Sequence, residues 1–115
     1  MSIISEAIVA TDRPARYGKQ LASHFSAKVE TGWDGVRGYI EFVGAGKDSE
    51  DPRRAFDGKG LVKLEALEDA LRIRIYSPKE LLGRFEGVIA RHLVRFGSKE
   101  ELVCEWHRIE DPDNS

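Results

Sequence analysis

Covalent and metal scaffolding is scarce in this chain. Cys104 is its one cysteine, and a single thiol cannot close an internal disulfide, which points to a reducing compartment. An excess of one charge is also missing: 18 Lys and Arg against 20 Asp and Glu leave a net charge of -2. A dedicated nucleic-acid binder needs surplus cations to neutralise phosphates, so nucleic acid is not an expected partner, although a local basic patch is still open. No apolar run approaches the ~20 residues of a membrane-spanning helix. The opening residues, Met1-Ser2-Ile3-Ile4-Ser5-Glu6, lack both the basic start and the long apolar centre of a secretory leader. A cytoplasmic location without a membrane partner is the expectation. Catalytic signatures are missing too: the chain has no Gly-x-Ser-x-Gly, no His-Glu-x-x-His and no paired-cysteine zinc pattern. Gly44-Ala45-Gly46-Lys47 suggests the end of a phosphate loop, but Glu41 stands where the first glycine belongs and Asp48 where Ser or Thr belongs. These patterns yield no catalytic residue and no cofactor.

What is present is a globular balance, 41% hydrophobic and 33% charged, too apolar for a disordered chain. A length of 115 residues suits one domain that buries about two-thirds of its unfolded surface without disulfide or metal. Residues 1–109 are assigned to that domain. Glu110 to Ser115, acidic and broken by Pro112, read as a disordered tail.

Ile8-Val9 reads as a short strand. Thr11 or Asp12 can cap the helix that follows, and Pro14 is tolerated only in a first turn, which fixes the start. Tyr17, Leu21, His24 and Phe25 recur at helical spacing and define an inward stripe. Val29–Trp33 and Val36–Phe42 flank Asp34-Gly35, a hairpin signal because that turn needs positive φ. Gly44–Gly60 is polar, glycine-rich and interrupted by Pro52, an enlarged loop that is functional or mobile. A second hairpin, Leu61–Leu67 and Ala70–Tyr76, turns at Glu68-Asp69. There Leu71, Ile73 and Ile75 alternate with Arg72, Arg74 and Tyr76, one face buried and one wet. Ser77-Pro78-Lys79-Glu80 has the form of a capping box, opening a helix to about Phe96 with Gly97 as its C-terminal cap. Its stripe is Leu81, Leu82, Phe85, Val88, Ile89, His92, Leu93 and Phe96. Leu102, Cys104 and Trp106 alternate with Val103, Glu105 and His107 in a last strand. The order β-α-β-β-β-β-α-β predicts an α+β protein, a two-layer α/β sandwich of two helices on a mostly antiparallel sheet.

Several stretches carry a family resemblance. Arg16-Tyr17, Lys19-Gln20-Leu21, His24-Phe25 and Lys28 come first. Gly38, Ile40 and Phe42, then Leu64-Glu65-Ala66, lie in the middle. Ala90-Arg91-His92-Leu93, Arg95-Phe96, Glu100-Glu101-Leu102 and Trp106 complete the set. In order and spacing they resemble the bacterial domain-of-unknown-function family 2218 from about Ala7 to His107. The resemblance implies a small bacterial protein with no assigned activity. It also implies an association with siderophore-interacting reductases, hence a supporting role in iron uptake. The family passes from the Phe42 strand to the Leu64 strand by a short turn, so the enlarged loop here is a departure.

Polar residues in unusual places are the remaining site candidates. Cys104 shares its face with Leu102 and Trp106 and reads as a small core residue, since no base is offered to activate it. His24 and His92 lie on the apolar stripes of their helices, where an imidazole must be hydrogen-bonded. Either each is a core histidine donating to a backbone carbonyl, or the two meet in a pocket with metal or acid–base chemistry. Arg13, Arg16 and Lys19 on the first helix and Arg84, Arg91 and Arg95 on the second are a solvated face or an anion site. Arg91 and Arg95, like charges one turn apart, favour an anion, and Arg16, Lys19, Arg91 and Arg95 form the binding candidate for a small anion or an acidic protein partner. The leading function is a non-catalytic binding or accessory module linked to ferric-siderophore use. An enzyme or metal site on His24 and His92 is the rival, and a homo-oligomeric interaction domain, such as a homodimer, with the open sheet face as its interface is the third reading.

Overall fold

In the computed structural model, which describes residues 3–27, 29–43, 58–97 and 102–110, two helices cover one face of a six-stranded sheet. The elements run β1 (Ile3–Ala10), α1 (Pro14–Phe25), β2 (Glu30–Trp33), β3 (Arg37–Val43), β4 (Lys59–Ala66), β5 (Ala70–Tyr76), α2 (Lys79–Phe96) and β6 (His107–Glu110). In space the strands are ordered β2-β3-β4-β5-β1-β6, and every neighbouring pair is antiparallel.

Two tight turns set the register. At Asp34-Gly35 the glycine takes φ 106°, a conformation that suits a residue without a Cβ. Asp34 Oδ1 accepts the backbone N–H groups of Val36 (2.9 Å) and Arg37 (2.7 Å), which holds its carboxyl below the ordinary carboxylate range. At Glu68-Asp69 the N–H of Leu67 donates to the carbonyl of Ala70 at 2.8 Å. Glu65 is thereby set opposite Arg72, and Lys63 opposite Arg74.

Alternate residues of the strands meet the helices. Ala7, Val9, Ile40, Val62, Leu64, Leu71, Ile73 and Ile75 are buried against Tyr17, Leu21, Leu82, Phe85, Ile89 and Leu93. Each buried Val, Leu, Ile or Phe side chain among them contributes roughly 1.5–3 kcal/mol of transfer free energy. Small residues let large ones lie flat on the sheet. A Cβ on Gly60 would stand 2.4 Å from the Phe85 ring, and one on Gly18 would stand 2.5 Å from the Trp33 indole. Where β1 meets α2 and β6, the buried Ser5 hydroxyl donates to Glu86, which also receives Arg108 at 3.4 Å, so a polar tie joins the three elements.

The structure corrects several local expectations. The first strand is eight residues, Ile3–Ala10, because pairing with β5 and β6 carries it beyond its apolar centre. Neither helix has a side-chain cap. Arg13 is the N-cap of α1, with its N–H bonded to Thr11 Oγ1 at 3.1 Å, and Pro78 is the N-cap of α2 while Ser77 Oγ bonds the Pro78 carbonyl. Residues 102–106 keep the expected alternation of burial without joining the sheet. The ladder begins at His107 and includes Glu110, paired with Ile3, so that residue belongs to a strand and not to a tail. Lys59 and Gly60 belong to β4. The rest of the enlarged loop, 44–57, and the tail 111–115 lie outside the described residues.

Candidate functional site

Side chains on the open face of the sheet line up in cross-strand rows. One row is Arg37, Glu65, Arg72 and Ile8; the next is Gly32, Tyr39, Lys63, Arg74, Glu6 and His107; the third is Glu30, Glu41, Leu61, Tyr76, Ile4 and Ile109. In the first row the Glu65 carboxylate is held between two guanidiniums, with Arg37 Nε at 3.0 Å and Arg72 bonded to its other oxygen. In the second, Lys63 and Arg74 are like charges directly opposite each other on β4 and β5, which is destabilising between strands unless something offsets it. Part of the offset is local. Arg74 Nε donates to Glu6 at 2.6 Å, a bond that raises the Arg74 pKa, and the Lys63 ammonium sits 5.0 Å from the centroid of the Tyr76 ring.

These rows floor a shallow cavity of about 680 Å³ lined by Arg37, Lys63, Arg72, Arg74, Tyr39 and Tyr76, with Trp33, Asp34 and Glu65 at its margin. Its lining carries four cations against two carboxylates, while Glu6, bonded to Arg74, and Glu30 and Glu41 in the neighbouring row balance much of that charge. The Tyr39 ring lies over the Gly32 backbone, where a Cβ would come within 2.6 Å. Its hydroxyl donates to Glu30 at 3.3 Å, and the Glu30 charge pushes the phenol pKa up. The site therefore offers fixed cations beside two phenol rings, the chemistry that receives an anion bearing a flat or polarisable group.

The residues singled out from sequence fall elsewhere. Arg16, Lys19, Arg91 and Arg95 are exposed on the two helices, on the other layer from the cavity. Arg91 Nε bonds the Gly87 carbonyl at 3.2 Å, and no ion pair joins these four cations to a carboxylate among the described residues. His24 and His92 do meet, with ring centroids 4.6 Å apart and planes at 49°. His92 is half-buried, with Nδ1 2.7 Å from the Val88 carbonyl, the backbone bond expected of a core histidine. His24 is exposed and not on the buried stripe as expected. It sits at the far end of α1, where Phe25 and Phe96 are ring neighbours beside His92. Cys104 is half-buried, packed against the core, and burial pushes its thiol up to about 11. No helix is long and apolar enough to cross a membrane, and no group of three or more His, Cys, Asp or Glu could hold a metal, both among the described residues.

Sequence reasoning missed Lys63, Arg37 and Tyr39. The Glu68-Asp69 turn already sets Lys63 opposite Arg74, so that part of the groove was open to prediction.

Fold and site together define a two-layer α+β protein with one sheet face covered by helices and the other lined, among the described residues, by paired charges and tyrosines. The chain belongs to the family described as "Uncharacterized protein conserved in bacteria", domain-of-unknown-function family 2218, whose model matches residues 6–107. It is similar to PA4090 from Pseudomonas aeruginosa, whose NMR structure shares 26% identity over 93% of this chain and 96% of that one, with a TM-score of 0.63. No curated protein matches it.

Proposed function

We propose that the protein is a non-catalytic binding module of the bacterial cytoplasm that holds an anionic, ring-bearing small molecule on its open sheet face. The observation that carries this reading is the opposition of Lys63 and Arg74 at the floor of the cavity between Tyr39 and Tyr76. Two cations facing each other across adjacent strands repel, Glu6 and the Tyr76 ring offset part of that repulsion, and an anion between them would offset more of it. Ferric-siderophore handling, implied by the family resemblance, agrees in chemistry: a ferric catecholate complex is anionic and aromatic.

The test is a calorimetric titration with ferric tris-catecholate, using neutral ferric hydroxamate as the comparison. Binding of the catecholate complex should weaken with added salt and should fall at least about tenfold in Lys63→Glu, the effect of losing one close charge contact. Equal binding of both complexes, or no change in Lys63→Glu, removes the reading. A second copy of the chain could occupy the same face. Sedimentation that shifts with protein concentration and is abolished by Lys63→Glu, in the absence of any titration heat, would favour that occupant.

A further inference from the structure

Of the four cations that line the groove, three already hold a carboxylate. Arg37 and Arg72 share Glu65, and Arg74 Nε donates to Glu6 at 2.6 Å. Lys63 pairs with no carboxylate among the described residues, and its ammonium faces the Tyr76 ring, 5.0 Å from the centroid. On the other side of Lys63 stands Tyr39, its direct partner across β3 and β4. The Tyr39 ring leans away from Lys63, toward β2. Its Cε1, Cδ1 and Cζ atoms fill the space over Gly32, at 2.6, 3.2 and 3.3 Å from where a Cβ would stand. The hydroxyl is tied at the same end, donating to Glu30 at 3.3 Å. With Lys63 leaning one way and Tyr39 the other, the floor between them is open. One unpaired positive charge thus stands beside one ring laid across its neighbouring strand.

Resting on the anion binding proposed above, we infer that the groove takes a planar aromatic monoanion, an aryl carboxylate, with its ring stacked on Tyr39 and its carboxylate on Lys63. The charge count sets the valence. The three guanidiniums are paired locally, and Glu30 and Glu41 fill the row beyond Tyr39. A second negative charge on the ligand therefore finds no unpaired cation in the lining and faces two carboxylates. The same two acids set the orientation, because they repel a carboxylate at the Glu30 end and turn it to Lys63. Lys63 exchanges a cation–π contact for a charge-assisted bond, the stronger of the two. Tyr39 is the specificity-determining residue. Its ring, held over Gly32 and tied to Glu30, receives a flat partner without rearrangement. A puckered aliphatic ring of equal charge touches it at fewer points. The cavity of about 680 Å³ has the size of a small-molecule pocket, and a larger anion seats one such ring at a time.

The experiment is calorimetric titration of the full chain with naphthoate, cyclohexanecarboxylate, naphthalenemethanol and naphthalenedicarboxylate. One naphthoate should bind per chain. The aliphatic carboxylate and the neutral alcohol should each bind at least about tenfold more weakly, the loss of one stacked ring or of one charge contact. The dicarboxylate should bind no more tightly than naphthoate. Tyr39→Leu should weaken naphthoate about tenfold and leave cyclohexanecarboxylate unchanged, while Tyr39→Phe, which keeps the ring, should retain most of the affinity. Lys63→Gln should weaken both monocarboxylates alike. Tyr39 and Lys63 lie outside the buried core, so these variants keep the fold, and their melting temperatures check it. Equal affinity for naphthoate and cyclohexanecarboxylate, a dicarboxylate bound at least about tenfold more tightly, or wild-type affinity in Tyr39→Leu would each overturn the inference and leave the anion reading in place. Binding of ferric tris-catecholate without binding of naphthoate would do the same. Absence of binding by both ferric tris-catecholate and naphthoate removes the inference and the reading together.

Discussion

The two faces of the sheet are made by the same strands and differ in almost every physical respect. On the covered face, neighbours such as Val62, Ile75 and Ile40 are fully buried, with no polar atom to satisfy. On the open face, one residue along, stand Lys63, Arg74 and Tyr39. The covered face stabilises the fold through area removed from water. The ion pairs of the open face are partly exposed, with Arg37 74% and Arg72 32% accessible, and pairs of that kind contribute only about 0–1 kcal/mol. Folding alone therefore accounts for the first face and not for the second. The contrast places the stability of the fold in one layer of alternate residues and leaves the other free for the binding proposed above.

The largest test is to break the covered face. Phe85 is buried, stacks on Phe42 with centroids 5.2 Å apart, and fills the space over Gly60. Phe85→Ala should cost about 3–5 kcal/mol in denaturant unfolding. Lys63→Ala on the open face should stay within about 0.5 kcal/mol of wild type, as surface changes usually do. Similar losses in both variants would abolish the division of labour between the faces.

A subtler break lies where α1 meets the sheet. Gly18→Ala gains up to about 1 kcal/mol of helix propensity. Its methyl, however, would stand 2.5 Å from the Trp33 ring and 3.3 Å from Leu71, and overpacking of that kind costs about 1–3 kcal/mol. The contacted Trp33 atoms are the outer edge of a half-buried ring that can shift, so the net loss should be near 1 kcal/mol. Gly18→Ala combined with Trp33→Leu should recover most of it. A more stable Gly18→Ala single variant would show that the helix does not press on the sheet there.

The covered face was largely legible in the sequence, and the open one only in part. Period-two alternation in Leu71–Tyr76 and helical spacing in Leu82–Leu93 register burial directly, so element order, antiparallel pairing and most of the core followed. Caps were misread because Thr11 and Ser77 can bond nearby backbone groups other than the helix N–H donors. His24 was misplaced because a helical stripe does not reveal where its partner layer ends. The groove needs Arg37 and Tyr39 beside Lys63, and that register is fixed across the long β3–β4 connection, whose length no local rule translates into pairing. Lys63 opposite Arg74 was readable through the two-residue turn. The helical arginines Arg16, Arg91 and Arg95 have a spacing that suggests a shared face, but their side chains are exposed on the other layer from the cavity.

Glu65 sharpens the comparison from within the groove. Its carboxylate is shared by Arg37 and Arg72, so Glu65→Gln frees cationic capacity while keeping side-chain shape. Stability should fall by less than about 1 kcal/mol. Affinity for ferric tris-catecholate should rise, since one negative charge leaves the lining. A fall in affinity would mean that Glu65 positions the guanidiniums more than it competes with the ligand. Cys104 gives the covered-side counterpart. With its thiol pushed up to about 11 by burial, alkylation of the native protein should be slow at pH 8 and quicken only toward that value, because the thiolate is the nucleophile. Rapid alkylation of folded protein at pH 8 would show that residues 102–106 do not hold the thiol against the core.

The smallest effect belongs to the β2–β3 turn, at the margin where the two faces meet. Asp34 accepts two backbone N–H bonds, and these, foremost the one from Arg37, lower its pKa from 3.8. A carboxylate with a depressed folded pKa releases its proton more readily folded than unfolded. Its contribution is therefore complete above the unfolded value and disappears as pH falls through the folded one. The comparison is the melting temperature of wild type against Asp34→Ala between pH 7 and pH 2. Wild type should lead by a small margin down to about pH 4, and the margin should close below it as the carboxylate protonates and accepts less strongly. Since the turn carries Trp33 on one side and Arg37 on the other, the same substitution should loosen the cavity margin and weaken catecholate binding at pH 7 less than Lys63→Glu does. A margin that holds constant to pH 2 would mean that Asp34 acts through turn conformation alone, and that its charge has no part in holding the end of the groove.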